Sequence, residues 1–171
     1  SMGMDKDALA EYLAPLQVVK SRKDVQEVEG VTLYRMLAKG MNPIAISRAI
    51  DSILSHPGRK SVILLNDTST KKKSHEENTA WLYDTDFEQL LSPEVKEILI
   101  GGYRAKDYAL RLELAGIPSE KIILCEEKID VAKQINLEDV DLIGILYELY
   151  SEPVSREIRE VIAKRLQEKQ A

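Results

Sequence analysis

Cysteine occurs once in this chain, at Cys125, and histidine twice, at His56 and His75. A single cysteine excludes an internal disulfide and any cysteine-clustered zinc site within the chain. The two histidines are far apart in sequence, so neither a Cys–His nucleophile pair nor a histidine metal site has support. No apolar run approaches the roughly 20 residues that span a bilayer, and no signal-peptide pattern opens the chain. The expected location is therefore cytoplasmic. Basic residues are not in excess: 24 Lys and Arg stand against 29 Asp and Glu, giving a net charge of −5. That balance argues against a nucleic-acid binder. Two phosphate-binding signatures are also missing, G-x-x-x-x-G-K-[ST] and G-x-G-x-x-G. The stretch Gly58-Arg59-Lys60-Ser61 has the wrong glycine spacing and precedes an apolar run instead of following one. An ATP-hydrolysing engine is not expected within these residues.

What is present suits one domain. At 171 residues the chain can bury about 70% of its unfolded surface, and 44% hydrophobic with 31% charged residues is an ordinary composition. Ser1-Met2-Gly3 reads as a tag scar, leaving 4–171 as the single domain. The span Asp7 to Leu16 reads as a short helix. Val25 to Val28 and Val31 to Leu37 flank Glu29-Gly30 and predict a hairpin. Asn42 and Pro43 then supply an N-cap and a first-position proline for a helix running to about Ser55.

From there the pattern alternates. Ser61 to Leu65 is a buried strand, Asn66 to Thr79 a long polar loop, and Phe87 to Leu91 a helix-like stretch. Glu97 to Ile100 is a strand, followed by a helical stripe of Ala105, Tyr108, Ala109, Leu112 and Ala115. Ile122 to Cys125 is a strand, Ile129 to Ile135 a helix, Asp141 to Leu146 a strand, and Pro153 opens the last helix. Alternation with short connections implies an α/β fold: a mostly parallel sheet flanked by helices on both faces, with the hairpin adding one antiparallel strand.

Sites in such sheets form at the carboxyl ends of the strands. Here those ends are Lys39 to Asn42, Asn66-Asp67, Gly101 to Arg104, Glu126-Glu127 and Tyr147 to Ser151. The most informative junction is Ile98-Leu99-Ile100-Gly101-Gly102-Tyr103-Arg104-Ala105-Lys106-Asp107. An apolar strand enters two glycines, and a helix opens beyond them with an arginine and an aspartate in its first turns. Free N–H groups and the positive end of a helix dipole there suit an anionic or strongly polar ligand.

Four segments, in order, resemble the C-terminal domain of Mur ligases, specifically that of MurT-type subunits of lipid II isoglutaminyl synthase. They are Leu37-Ala38-Lys39-Gly40-Met41-Asn42-Pro43, Leu64-Leu65-Asn66-Asp67, Trp81-Leu82-Tyr83-Asp84-Thr85-Asp86-Phe87-Glu88, and Gly102-Tyr103-Arg104-Ala105-Lys106-Asp107-Tyr108-Ala109-Leu110-Arg111-Leu112 with Ala115-Gly116. The resemblance extends from about Leu9 to Leu146 and implies a Rossmann-like domain.

The resemblance also implies a chemistry in two parts. A complete MurT-type subunit uses ATP and Mg to activate the α-carboxylate of the D-glutamate in the lipid II stem. A GatD-type glutaminase partner releases the ammonia that converts that carboxylate to an amide. No cofactor is implied within this chain itself, which on its own is expected to be inactive. In the family an aspartate of this domain is thought to complete the partner's Cys–His pair, and a carboxylate suits that role because it orients the imidazole and stabilises its cationic form. This chain departs from the pattern before Trp81, where the usual Asp-Gly and further Asp are absent; if the family's acid lies before the tryptophan, Glu77 or Asn78 occupies its place.

Each candidate has a functional and a structural role to weigh. Asp84 either completes the partner's triad or caps a local helix, and Asp86 reads as a cap or first-turn acid. Arg104 either grips a phosphate or carboxylate or pairs with Asp107 three residues on. Lys39, Asn42, Asn66, Asp67, Arg104 and Asp107 are the candidate substrate- or nucleotide-binding set, with Asn42 and Asp107 open to purely structural roles. Trp81 is either a partner-docking anchor or a core residue. Cys125 reads as a buried, inert thiol. Two rival functions remain: a stand-alone module that binds a small anion or nucleotide, and a non-catalytic interaction domain.

Overall fold

A computed structural model describes residues 23–39, 41–66 and 78–170. The helix expected over Asp7 to Leu16 lies outside those residues, as do Asp67 and Glu77. Six strands form one sheet: β1 (Lys23–Val28), β2 (Val31–Leu37), β3 (Lys60–Leu65), β4 (Val95–Gly101), β5 (Ile122–Cys125) and β6 (Leu142–Tyr147). Their order across the sheet is β1-β2-β6-β3-β4-β5. Only β1 is antiparallel, pairing with β2 through the Glu29-Gly30 turn. Both turn residues take positive φ, 50° and 79°, the geometry that a two-residue hairpin needs. The other neighbours are parallel.

The central strands β3 and β6 are buried at every position. Both faces are covered, so their sequences, KSVILL and LIGILY, run apolar without alternation. One face carries α1 (Pro43–Leu54), α2 (Ala80–Asp84), a 3-10 turn at Phe87–Leu91, and α3 (Ala105–Leu114). Their side chains pack with Tyr34, Val62, Leu64, Ile98, Ile100 and Leu146. The other face carries α4 (Val131–Gln134) and the 19-residue α5 (Glu152–Gln170), packed on Leu33, Ile63, Leu65, Leu99, Ile143 and Ile145.

The α/β fold predicted from alternation is the fold observed, and the boundaries differ only locally. The helix expected at Ile129 is a 3-10 turn over Lys128–Asp130 that continues into α4. The last helix begins at Glu152, one residue before Pro153. The element that pattern reading missed is α2, five residues in length. Among the described residues no helix is long and apolar enough to cross a membrane.

Candidate functional site

Loops leaving the carboxyl ends of the strands are joined by buried polar contacts. At the end of β3, Asn66 is fully buried and its Nδ2 donates to the carbonyl of Ala38 beyond β2 at 2.9 Å. Tyr108 of α3 donates its hydroxyl to the Asn66 carbonyl at 3.3 Å. Asn66 therefore ties β2, β3 and α3 together, while its Oδ1 is buried without a hydrogen-bond partner among the described residues.

A second cluster lies beyond β6. Lys128 donates its Nζ to Ser151 Oγ at 2.7 Å. Ser151 Oγ lies 2.9 Å from the Leu65 carbonyl oxygen and 3.1 Å from Glu148 Oε1. Its one hydrogen can serve only one of those acceptors at a time. Glu148 is only 2% exposed, and burial pushes its carboxyl above the usual range. The backbone N–H groups of Tyr150 and Ser151, the Ser151 hydroxyl and the Lys128 ammonium oppose that rise in part.

At the end of β4 the two glycines do different work. A Cβ on Gly101 would stand 2.8 Å from Lys128 Cα, so only glycine lets the strand pass the turn before α4. Gly102 has φ 115°, a conformation that turns the chain into α3 and that L side chains rarely adopt. Arg104 sits at the N-cap position of α3 and donates Nη1 to Asp107 Oδ2 at 3.1 Å. Beside it is a crevice of about 680 Å³ lined by Gly102, Tyr103, Lys106, Asp107, Leu124 and Glu126, among others. The connection after β4 leaves to one face of the sheet and that after β5 to the other, which makes this a topological switch point.

The Trp81–Asp86 segment is held differently. Trp81 is 6% exposed and Leu82 1%. The indole meets the Tyr108 ring edge-on at 5.9 Å, and Phe87 meets the same ring at 5.7 Å. Thr85 donates its hydroxyl to the Trp81 carbonyl at 2.8 Å. From α3, the buried Arg111 donates Nε to the Leu82 carbonyl at 3.1 Å and Nη2 to that of Thr85 at 2.9 Å. Nη2 also lies 2.9 Å from both carboxylate oxygens of Glu88. That hydrogen bond, more than any other influence, holds the Glu88 carboxyl below the usual carboxylate range.

These positions separate the candidates. Asn42 is the N-cap of α1, its Oδ1 accepting from the Ala45 N–H at 3.0 Å. Lys39 is exposed, with no bonding partner among the described residues. Asp107 pairs with Arg104 at the i,i+3 spacing read from the sequence. Asp84 is the last residue of α2, so it caps no helix start. It is exposed, and its carboxylate has no partner among the described residues. Asp86 precedes the 3-10 turn and accepts from Gln89 Nε2 at 3.0 Å.

Of the two roles weighed for Trp81, packing supports the core one. The exposed aromatic of that segment is Tyr83, at 53%. Asn78 is exposed and accepts the Ala80 N–H at 2.9 Å. Cys125 is a free buried thiol whose pKa burial pushes up, with the Asp130 charge adding to the effect. Sequence reading passed over Lys128, Glu148, Ser151 and Arg111 as individual residues. The first three could have been flagged only by their place at strand ends.

A family model described as MurT ligase C-terminal matches residues 37–151. The MurT subunit of lipid II isoglutaminyl synthase (glutamine-hydrolyzing) from Streptococcus pneumoniae strain R6 is 28% identical over 164 residues, covering 96% of this chain and 35% of that protein. The subunit of the same description from Staphylococcus aureus strain COL is 32% identical over 83 residues, 48% of this chain and 18% of that one. This chain thus aligns with about a third or less of the length of these relatives.

Solved structures agree on the fold. MurF from Acinetobacter baumannii superposes with a TM-score of 0.58 at 16% identity, over 93% of this chain and 35% of that one. MurF ligase from Thermotoga maritima in complex with ADP gives 0.53 at 22% identity, over 93% and 34%. A Haemophilus ducreyi domain from a ligase described as UDP-N-acetylmuramate:L-alanyl-gamma-D-glutamyl-medo-diaminopimelate ligase gives 0.52 at 14% identity, over 85% and 99%. With the family model covering most of its length, this chain belongs to the MurT ligase C-terminal family.

Proposed function

We propose that this chain serves as the C-terminal domain of a MurT-type ATP-dependent amide ligase that acts with a GatD-type glutaminase on lipid II. The observation that carries the reading is the similarity to a MurT subunit across 96% of the chain. In this reading the glutaminase hydrolyses glutamine, and the ammonia replaces the activated oxygen on the D-glutamate α-carboxyl carbon of the stem peptide. ATP and Mg serve that activation in the complete ligase. Arg104, Asp107 and Lys39 are the strand-end groups that meet substrate or nucleotide in this reading, Asp67 joins them by its place in the sequence, and the buried Asn66 orders the loops behind them.

Asp84 is the acid assigned to the partner's Cys–His pair. Its exposed carboxylate accepts the imidazole N–H, fixes the tautomer and stabilises the cation formed when histidine takes the thiol proton. What supports the assignment is its combination of exposure, lack of a partner among the described residues, and a rigidly held backbone. Tyr83, beside it, supplies the exposed aromatic for docking.

The test is glutamine hydrolysis by a purified GatD-type glutaminase with and without this chain. Asp84→Asn is expected to leave complex formation intact and to lower the stimulated rate at least a hundredfold. Full activity of that variant in a formed complex would remove Asp84 from the chemistry. Failure to bind any glutaminase, together with direct binding of a small anion or nucleotide, would favour the stand-alone module.

A further inference from the structure

A five-residue helix does not hold itself together. Nucleation costs more than one turn of hydrogen bonds returns, and α2 has no side-chain cap from its Thr79 N-cap position. Two buried anchors, Trp81 and Leu82, seat it on the sheet. They do not fix the path of the chain after Leu82, because Tyr83 and Asp84 both face solvent. The fix comes from α3. Arg111 is 5% exposed and bonds the carbonyls of Leu82 and Thr85, the residues that bracket Tyr83 and Asp84. Its guanidinium carbon lies 5.6 Å from the centre of the Phe87 ring, and Glu88 closes the far side with both oxygens.

Only a planar, multiply donating cation can meet three acceptors placed this way. A lysine at the same position has one nitrogen on a flexible stem. The Leu82 carbonyl would otherwise be a helix-end acceptor without an intrahelical donor, a gap that side chains near a helix terminus often fill, whereas the Thr85 carbonyl also accepts the Phe87 N–H at 2.9 Å.

We propose that Arg111 is the positioning residue for Asp84. It holds the backbone on both sides of that carboxylate, so the acid meets the partner's imidazole in one orientation without a search. The inference rests on the reading of Asp84 as the acid of a partner glutaminase. Arg111 itself touches no substrate. Glu88 belongs to the device because it neutralises the buried guanidinium from the solvent side, where it is half exposed.

The experiment has two independent readouts. Trp81 is the only tryptophan, so its emission reports the seat of α2 without interference. Arg111→Lys is expected to shift that emission to the red. In complex with a GatD-type glutaminase it should lower kcat for glutamine hydrolysis about tenfold or more, with KM for glutamine and the affinity between subunits changed less than about threefold. Combined with Asp84→Asn it should bring no further loss.

Unchanged kcat in Arg111→Lys, when Asp84→Asn alone abolishes activity, overturns the positioning role and leaves the reading of Asp84 standing. Unchanged kcat in Asp84→Asn overturns the reading itself, and the positioning role falls with it. A fall in subunit affinity that accounts for the whole effect also overturns the proposal, because it marks Arg111 as a structural support of the interface. Should Arg111→Lys not fold, Glu88→Gln keeps the guanidinium and both carbonyl bonds. It is expected to lower kcat about threefold with the same sparing of KM, and full activity in that variant counts against the proposal.

Discussion

The two faces of the sheet are held by different means. On the α1–α3 face lie Trp81, Phe87 and Tyr108, whose rings meet edge to face, and the short elements among them depend on one buried arginine. On the α4–α5 face the core is aliphatic apart from Tyr147 and Cys125, and one long helix spans it. There the polar ties stand at the rim. Arg35 is 3% exposed and donates to Asp24 at 2.9 Å, to Glu152 at 3.2 Å and to Ser155 at 2.8 Å, joining the hairpin to α5. Arg159 pairs with the same Asp24. The aromatic face thus presents short, exposed segments on a pinned base, whereas the aliphatic face works as a brace. Placing candidate chemistry on the first and bulk on the second lets the presenting segment vary without unseating the sheet.

The contrast can be broken most severely at Phe87. Phe87→Ala removes a fully buried ring and is expected to cost about 4 kcal/mol in chemical denaturation, with a red shift of Trp81 emission. Arg35→Met should cost about 3 kcal/mol because Asp24, Glu152 and Ser155 lose a common buried donor. It should leave Trp81 emission unchanged, and a shift there would show that the faces are not independent. Asn42→Ala removes the α1 cap and is expected to cost about 1 kcal/mol, read as a small drop in Tm.

The smallest effect is pH-dependent. Because burial raises the folded-state pKa of Glu148, its stabilising contribution is complete below the ordinary carboxylate value of about 4.3 and is lost as pH rises through the higher folded value. Glu148→Gln should therefore gain stability relative to the parent chain over that window. Identical Tm profiles for the two between about pH 4 and pH 8 would contradict the assignment.

The mostly parallel sheet and the hairpin were legible because β3 and β6 are continuous apolar runs and because Asn42-Pro43 and Glu29-Gly30 carry local turn and cap chemistry. The helix α2 was not legible, since it is held by contacts with Tyr108 and Arg111, more than twenty residues further on, and no local pattern encodes that. Arg111 lies outside the apolar stripe of Ala105, Tyr108, Ala109, Leu112 and Ala115, so nothing in the sequence marks it as buried. The Lys128–Ser151–Glu148 cluster was invisible for a related reason: the segment after β6 supplies Glu148 and Ser151, the turn after β5 supplies Lys128, and the end of β3 supplies a carbonyl. Trp81 was ambiguous because both a core and an interface favour tryptophan, and only packing against Tyr108 distinguishes them.

The position of β6 has a consequence for how the molecule comes into being. It is the last strand along the chain, yet it lies between β2 and β3, which have no hydrogen bonds to each other. A nascent chain emerging from the ribosome can pair β1 with β2, and β3 with β4 and β5, but these two assemblies remain separate ribbons until Leu142–Tyr147 arrives to zip them together. Such late, non-local pairing is slow and leaves strand edges open in the meantime. A polypeptide lacking Leu142–Tyr147 would leave the facing edges of β2 and β3 unpaired, so the middle of the sheet closes only when β6 is in place.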